Sequence, residues 1–150
     1  MTARNLQPAP AASSARVRRL MQANRSRDTG PERSIRAALW KTGIKGYRLD
    51  WKKAPGKPDI AFVRKRVAVF IMGCFWHRCP RCSLSHPKTN SDWWRRKFER
   101  NTKRDNNVRR MLEEIGWTVV PLWECEVRED IQDCISRIVV ALKKSPATSD

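Results

Sequence analysis

Three of the five cysteines fall within one ten-residue stretch, GCFWHRCPRC, which follows the apolar run VAVFIM. Cys74, Cys79 and Cys82 have the spacing C-x4-C-x2-C. Thiolates at such spacing can surround a tetrahedral ion because the short backbone segments between them fold round it without strain. The spacing therefore predicts a metal site that needs a fourth ligand.

Two further cysteines compete for that fourth position. Cys125 follows a predicted strand, where the chain can turn at the end of a sheet, whereas Cys134 lies in an apolar helical stripe and is better explained as a core thiol. We predict a closed, structural zinc site with four sulfur ligands: Cys74, Cys79, Cys82 and Cys125. The alternative is a set of unrelated buried cysteines.

His77 lies inside the same stretch and suggests acid–base chemistry. An imidazole, which titrates near neutrality, is suited to be the general base that activates water. It could instead be a metal ligand, although four sulfurs leave it free. Asp105 lies on the apolar stripe of a predicted helix, where a carboxylate needs a partner. The partner could be His77, whose orientation the carboxylate would fix, or a salt bridge to Arg109 or Lys103.

Asp59 opens a buried strand after the Pro-bounded turn APGKP. A carboxylate held there by rigid backbone suits Mg²⁺, which takes few protein oxygens and keeps several waters. The alternative is that Asp59 only caps the turn. Taken alone, the residue leaves both interpretations open.

The N-terminal part of the chain contains one clear helix signal. Residues 1–15 are small, polar and Pro-containing, which predicts a disordered tail. Residues 16–27 are very basic and fit a short helix or an arm that orders on a partner. Thr29 and Glu32 then form a T-x-x-E capping box that predicts a helix start.

The remaining elements alternate between strand and helix periodicity. The predicted elements are a hairpin from Asp59 to Met72, a long basic helix from Ser91 to about Ile115, a buried strand at 117–123 and a helix with an apolar stripe from Ile131 to Leu142. This order predicts an α/β domain with a mixed sheet flanked by helices. We expect one domain over residues 16–143, followed by a polar tail at 144–150.

The composition points to a polyanionic partner. The 150 residues carry 32 Lys+Arg against 15 Asp+Glu, a formal charge of +17, which favours nucleic acid over a membrane surface. No apolar run reaches the roughly 18 residues that span a bilayer. The N-terminus lacks a hydrophobic signal core, so we expect a cytoplasmic protein.

Four stretches in this order resemble the very-short-patch-repair (Vsr) DNA mismatch endonucleases: PGKPDIAF, MGCFWH, FERNTKRD and VVPLWECEV. The resemblance covers most of the chain, from about Arg16 to Arg128. It implies a restriction-endonuclease-like core that nicks duplex DNA 5′ of the thymine in T:G mismatches, which arise when 5-methylcytosine deaminates. It also implies catalytic Mg²⁺, a monomer on DNA in the nucleoid, and general mismatch-repair proteins as candidate partners.

The same resemblance implies a role for each candidate residue. Asp59 is similar to the magnesium-binding aspartate, helped by the backbone carbonyl of Ile71. His77 resembles the general base, Asp105 its carboxylate partner, and Glu32 an acid that contacts metal-bound water. The four cysteines fall on the family's structural zinc site, with Cys79 where a histidine often occurs.

Aromatic residues beside these groups resemble the family's DNA wedge. The residues that would intercalate or enter the duplex are Met21, Phe75, Trp76 and Trp94. Apolar wedges unstack a base step, which costs least where pairing is already weak. Packing in the core is the alternative for Phe75, Trp76 and Met21.

Met72 departs from the family pattern, which commonly has histidine or aspartate at this position. A thioether neither transfers protons nor binds Mg²⁺ well. The run VAVFIM also lacks the second carboxylate and lysine of the wider nuclease superfamily. Alternative functions are a restriction-like nuclease with another DNA target, a non-catalytic zinc-braced module that binds mismatched DNA, and a basic RNA-binding protein.

Overall fold

The computed structural model describes residues 8–23 and 28–146. The strands are β1 (Arg48–Leu49), β2 (Ile60–Phe62), β3 (Val67–Met72) and β4 (Thr118–Trp123). The helices are α1 (Ala15–Ala23), α2 (Gly30–Lys41), α3 (Cys74–His77), α4 (Ser91–Glu114), α5 (Glu124–Glu129) and α6 (Ile131–Lys144). The alternation of strands and helices is that of an α/β fold, as the sequence predicts.

The four strands form one mixed sheet in the order β1-β2-β3-β4. The first three are antiparallel neighbours, which confirms the predicted hairpin, and a 3-10 turn at Val63–Lys65 joins β2 to β3. β4 pairs with β3 in parallel, with Val69 opposite Val120. A parallel neighbour requires a crossover connection, and the long α4 supplies it.

Each face of the sheet packs against different helices because successive side chains in a strand point to opposite sides. One face presents mainly branched aliphatic residues to α2, α5 and α6. The fully buried residues of this core layer include Ile35 and Leu39 of α2, Val67, Val69 and Leu122 of the strands, and Ile138 of α6. The other face presents Ala61 and Ala68 beneath Leu112 of α4 and Trp117. The small alanines let α4 approach the sheet closely.

Helix α2 begins as the sequence predicts, with a small change in its cap. The Thr29 hydroxyl accepts a hydrogen bond from the Glu32 N–H at 3.4 Å. The Glu32 carboxylate accepts from the N–H of Asp28 at 2.7 Å, one residue before the position that a capping box uses. Glu32 is buried, so this acid is fixed in the interior rather than on the surface.

Helix α4 has the predicted start and length, with 24 residues, about 36 Å at the usual rise. None of the helices in the described ranges is both long and apolar enough to cross a membrane. Helix α5, in contrast, was not predicted. Its six residues begin directly after β4, where the Glu126 carboxylate accepts from the Trp123 N–H at 3.0 Å.

Candidate active site and metal centre

The Asp59 carboxylate is anchored across the hairpin rather than in its own turn. The N–H of Ile71 in β3 donates to Oδ2 of Asp59 at 2.7 Å. The Asp59 carbonyl separately accepts from the N–H of Asp50 at 3.1 Å. The turn-capping alternative is therefore not what the side chain does in the structure.

The environment of Asp59 disfavours its charged form. Burial raises the pKa of Asp59 from 3.8 to about 6, and the nearby Glu32 and Asp50 carboxylates act in the same direction. The Ile71 N–H and His77 partly oppose this rise in pKa. A carboxylate surrounded by other acids in a partly desolvated position is stabilised by a cation, so the arrangement fits a metal ligand.

His77 and Asp105 form the predicted pair. Nδ1 of His77 lies 2.5 Å from Oδ2 of Asp105, and each side chain is about a quarter exposed, at 24% and 23%. Asp105 makes no ion pair with Lys103 or Arg109 among the described residues; the second contact of the carboxylate is with Arg104 at 3.9 Å. A hydrogen bond at Nδ1 leaves Nε2 as the ring nitrogen able to accept a proton.

A buried amide holds the segment that carries His77. The side chain of Asn101, 5% exposed, donates from Nδ2 to the carbonyl of Trp76 at 3.0 Å. The N–H of His77 donates to the Gly73 carbonyl at 3.1 Å. Asn101 lies on the predicted apolar stripe of α4 but was not identified as a site residue. A polar side chain on that stripe was the signal that could have found it.

The four predicted cysteines meet at one point. The Sγ atoms of Cys74, Cys79, Cys82 and Cys125 all lie within 4.8 Å of one another, a cluster that could hold a metal ion. Three come from α3 and the following loop, and the fourth comes from α5. Cys134 is fully buried in the apolar core of α6, as predicted.

Whether these four cysteines are thiols or thiolates depends on whether a cation is bound to them. Burial raises the pKa of the Cys74 and Cys125 thiols. Burial acts against Cys79 as well, but the backbone N–H groups of Cys82 and Arg81 lower its pKa overall. Metal ions bind thiolates rather than thiols. A cation at this position would therefore stabilise the negative charge of the buried sulfurs.

One cleft of about 1740 Å³ collects the other predicted residues. The candidates that line it are Glu32, Asp59, Ile71, Phe75, Trp76, His77, Trp94 and Asp105. Met72 also lines it, as does Glu124, which was not predicted. The cleft unites residues from α2, the β2–β3 hairpin, α3 and α4, so it is the candidate active site.

The aromatic residues form a cluster at the wall of this cleft. Phe75 lies with its ring centroid 5.2 Å from Trp76 and 5.3 Å from Phe98, in edge-to-face geometry. Phe75 and Trp76 are partly exposed. Trp94, in contrast, is only 7% exposed. Its ring lies against those of Phe75 and Trp76, with centroid distances of 5.5 and 5.8 Å, so it supports the two more exposed rings.

The N-terminal helix borders the same cleft. Val17 and Leu20 of α1 line it, and Leu20 is 64% exposed. Met21 belongs to the same helix, but its side chain lies outside the described part of the chain.

Comparison with known proteins gives consistent matches. The family model described as DNA mismatch endonuclease Vsr matches residues 12–83, a range that includes Asp59 and His77. The type II nicking enzyme V.NaeI of Lentzea aerocolonigenes is 43% identical over 138 residues, which is 89% of this chain and 80% of that protein.

Two further relatives show the same kind of match. The type II nicking enzyme V.XorIIP of Xanthomonas oryzae pv. oryzae is 40% identical over 115 residues, 76% of this chain and 83% of that protein. DNA mismatch endonuclease Vsr of Escherichia coli (strain K12) is 33% identical over 108 residues, 72% of this chain and 69% of that protein.

Proposed function

The chain belongs to the DNA mismatch endonuclease Vsr family and is an endonuclease, and from this premise we propose that it nicks duplex DNA 5′ of the thymine in T:G mismatches left by deamination of 5-methylcytosine. The observation that carries the proposal is the meeting of the Asp59 carboxylate, the His77–Asp105 pair and two partly exposed rings in one cleft. One relative is named a mismatch endonuclease, which supports the proposed recognition of a mismatch. Others are named nicking enzymes, which supports the proposed cutting of one strand.

In the proposed mechanism the protein residues position a water and a phosphate. Asp59 and the Ile71 carbonyl would hold Mg²⁺. As the water oxygen bonds to phosphorus and the bond from phosphorus to the leaving oxygen breaks, the ion would stabilise the negative charge on the phosphate and on that leaving oxygen. His77 takes a proton from the attacking water at Nε2. Asp105 keeps Nδ1 protonated and the ring oriented. Glu32, close enough to Asp59 to raise its pKa, adds negative charge that favours a divalent cation.

We assign the four-sulfur cluster to structural Zn²⁺. Four sulfurs within 4.8 Å of one another can supply all four ligands of a tetrahedral zinc ion, and a site filled by four protein ligands suits structure rather than catalysis. Cys74 begins α3 and Cys79 follows it, so the ion would hold both ends of the segment that carries Phe75, Trp76 and His77. The zinc would thereby keep the general base His77 and the intercalating rings of Phe75 and Trp76 in a fixed relative position.

The rings give the proposed specificity. Phe75 and Trp76 enter the base stack at the mispair, with Trp94 beneath them and Met21 approaching from the opposite groove. Unstacking a step costs a few kcal/mol, and least where pairing is already weak. A T:G pair would therefore admit the wedge more readily than a T:A pair.

The wider setting follows from the same proposal. The domain over residues 16–143 has a restriction-endonuclease-like fold and acts as a monomer, with the basic arm at 16–27 and α4 contacting the DNA backbone. We place it in the cytoplasm, associated with the nucleoid on DNA, with general mismatch-repair proteins as candidate partners. Backbone contacts of this kind release counterions, so binding should weaken steeply with salt.

A nicking assay tests the proposal directly. Two duplexes that differ only in one T:G or T:A pair are incubated with the protein and Mg²⁺, and the products are mapped to the nucleotide. We expect a single nick 5′ of the mispaired thymine and none in the T:A duplex. Asp59→Asn should abolish nicking and preserve binding, whereas Asp133→Asn, on α6 and outside the lining of the cleft, should change neither. Equal cutting of both duplexes would refute the specificity.

Met72 favours one second candidate, a nuclease of the same fold with another DNA target. Its thioether lines the cleft where the family resemblance leads us to expect a polar side chain. A panel of duplexes with other mismatches and other flanking sequences separates the two candidates. Preferred cleavage of any duplex over T:G would favour the second.

A further inference from the structure

A second groove lies along α4 beside the active-site cleft. It has a volume of about 650 Å³, and its lining includes Arg78, Arg95, Phe98, Thr102, Lys103 and Asn106. Asn106 also lines the active-site cleft. The groove and the cleft are therefore neighbours along α4.

Arg78 brings to this groove a positive charge that no acid within residues 8–23 and 28–146 pairs with. Its guanidinium lies 4.4 Å from the centroid of the Phe98 ring, and Nη2 donates to the carbonyl of Leu84. In the described part of the chain Arg78 makes no ion pair, and its Nη1 is buried without an acceptor. A cation held in place without a counterion is stabilised by an anion that binds beside it.

The other groups of the groove also suit an anion. Lys103 is exposed, and over residues 8–23 and 28–146 it has no ion pair. Thr102 and Asn106 add neutral hydrogen-bond donors. Arg95 contacts Asp92 and is already paired, and Glu99 is the one carboxylate of the groove lining. Two unpaired cations therefore outweigh one acid.

We propose that this groove binds a backbone phosphate of the same DNA molecule, outside the stretch held in the cleft. The proposal rests on the proposed function, since a duplex must occupy the cleft for its flank to reach the groove. An open, basic groove suits a phosphodiester on a long polymer better than a small ligand, which needs enclosure.

Binding at the groove also reaches the active site through Arg78. Arg78 directly follows His77, and the Phe98 ring on which it stacks lies 5.3 Å from the Phe75 ring. A phosphate on Arg78 would hold this residue against Phe98. The groove would thereby be a second anchor for the segment that carries the intercalating rings of Phe75 and Trp76 and the general base His77.

The salt dependence of binding tests the groove. Equilibrium binding of a duplex with long flanks is measured over a range of salt concentrations for the native protein and for Lys103→Gln, Lys103→Arg and Lys143→Gln. Each phosphate contact contributes about 0.9 to the slope of log K against log salt, so Lys103→Gln should reduce that slope by about 1. Lys103→Arg should retain the slope. Lys143 is on α6, across the sheet, and its replacement should leave the slope unchanged.

Phosphate ethylation interference locates the contact. In the native complex we expect ethylation of at least one phosphate outside the nicked region to weaken binding, and in Lys103→Gln that position should lose its effect. An unchanged slope in Lys103→Gln, or no position lost, would overturn the groove proposal. Both readouts measure binding alone. Failure of T:G nicking would thus refute the proposed function and leave these two results to judge the groove separately.

Discussion

Nδ1 of His77 lies 2.5 Å from Oδ2 of Asp105, although the residues belong to different helices. The contact joins the short α3 to the middle of α4 and fixes the imidazole by one of its two nitrogens. Its chemical consequence is that Nε2 is the nitrogen that can accept a proton. The first prediction follows from removing the charge from this pair.

Asp105→Asn should slow nicking of a T:G duplex by about 10²-fold or more, the usual contribution of an oriented general base. The amide keeps the shape of the side chain but does not stabilise a protonated imidazole. DNA affinity should change little. Single-turnover nicking rates measure the effect, with Glu114→Gln on the exposed side of α4 as the control. A native rate in Asp105→Asn would exclude the proposed role.

The pH dependence of nicking should report Asp59. Its pKa is raised to about 6, so the carboxylate becomes ionised, and able to bind Mg²⁺, only as the pH rises through that value. At low Mg²⁺ the nicking rate should therefore increase between about pH 5 and 7. Higher Mg²⁺ favours the ionised form and should move the profile to lower pH. If the pH dependence of the nicking rate were the same at low and high Mg²⁺, this assignment would be contradicted.

The same raised pKa predicts that Asp59 destabilises the fold. The unfolded group ionises near 3.8 and the folded group near 6, so the cost is absent below pH 3.8, grows through this window and is complete above pH 6. Asp59→Asn should therefore raise the melting temperature at pH 8 without added Mg²⁺. At the acid end of the window the two proteins should melt alike. A lower melting temperature for the variant at pH 8 would show that burial is not the dominant effect.

Zinc stoichiometry tests the four-sulfur cluster. Cys125→Ser removes one ligand from α5, and we expect loss of bound zinc with a lower melting temperature, because a structural metal contributes directly to folding stability. Cys134→Ser changes a buried thiol outside the cluster, so it should retain one zinc per chain even if it destabilises the core. Metal analysis by atomic absorption decides. Full zinc content in Cys125→Ser would remove this residue from the ligand set.

The wedge prediction concerns discrimination rather than rate. Base–aromatic stacking contributes about 1–3 kcal/mol, so Trp76→Ala should lose roughly tenfold of the binding preference for T:G over T:A. Trp40→Ala is the matched control, since Trp40 is 67% exposed on α2 and does not line the cleft. The ratio of the two dissociation constants is the measurement. An unaltered ratio in Trp76→Ala would mean that the ring packs but does not read the duplex.

Much of the fold was predictable because its signals are local. The strands of the hairpin and β4 are short apolar runs rich in β-branched residues, and α4 and α6 carry apolar stripes of helical period. Helix α5 was missed since its six residues are too few to show a period. The sequence also could not predict that the Glu32 carboxylate accepts from the N–H of Asp28 rather than that of Thr29. A capping motif does not determine which of two adjacent N–H groups is closer.

The site was predictable where a residue conflicted with its local pattern. Asp105 on an apolar stripe required a partner, and His77 was the partner that chemistry suggested. Asn101 lies on the same stripe and carries the same signal, since it too is a polar side chain buried on the apolar side of α4. For Trp94, helical periodicity places the ring on the apolar side of α4, where it is buried, whereas its role at the duplex is an expectation from the family resemblance alone.

The parallel register of β3 and β4 has a consequence for how this chain tolerates changes in length. Met72 is opposite Trp123, and each of these last strand residues is followed, two positions later, by a cysteine of the cluster. Deleting one residue from either strand exit would move its sulfur by about 3.3 Å, more than a coordination bond allows. The exposed connection at 83–90 carries no such constraint, so insertions and deletions among relatives should accumulate there and avoid the two strand exits.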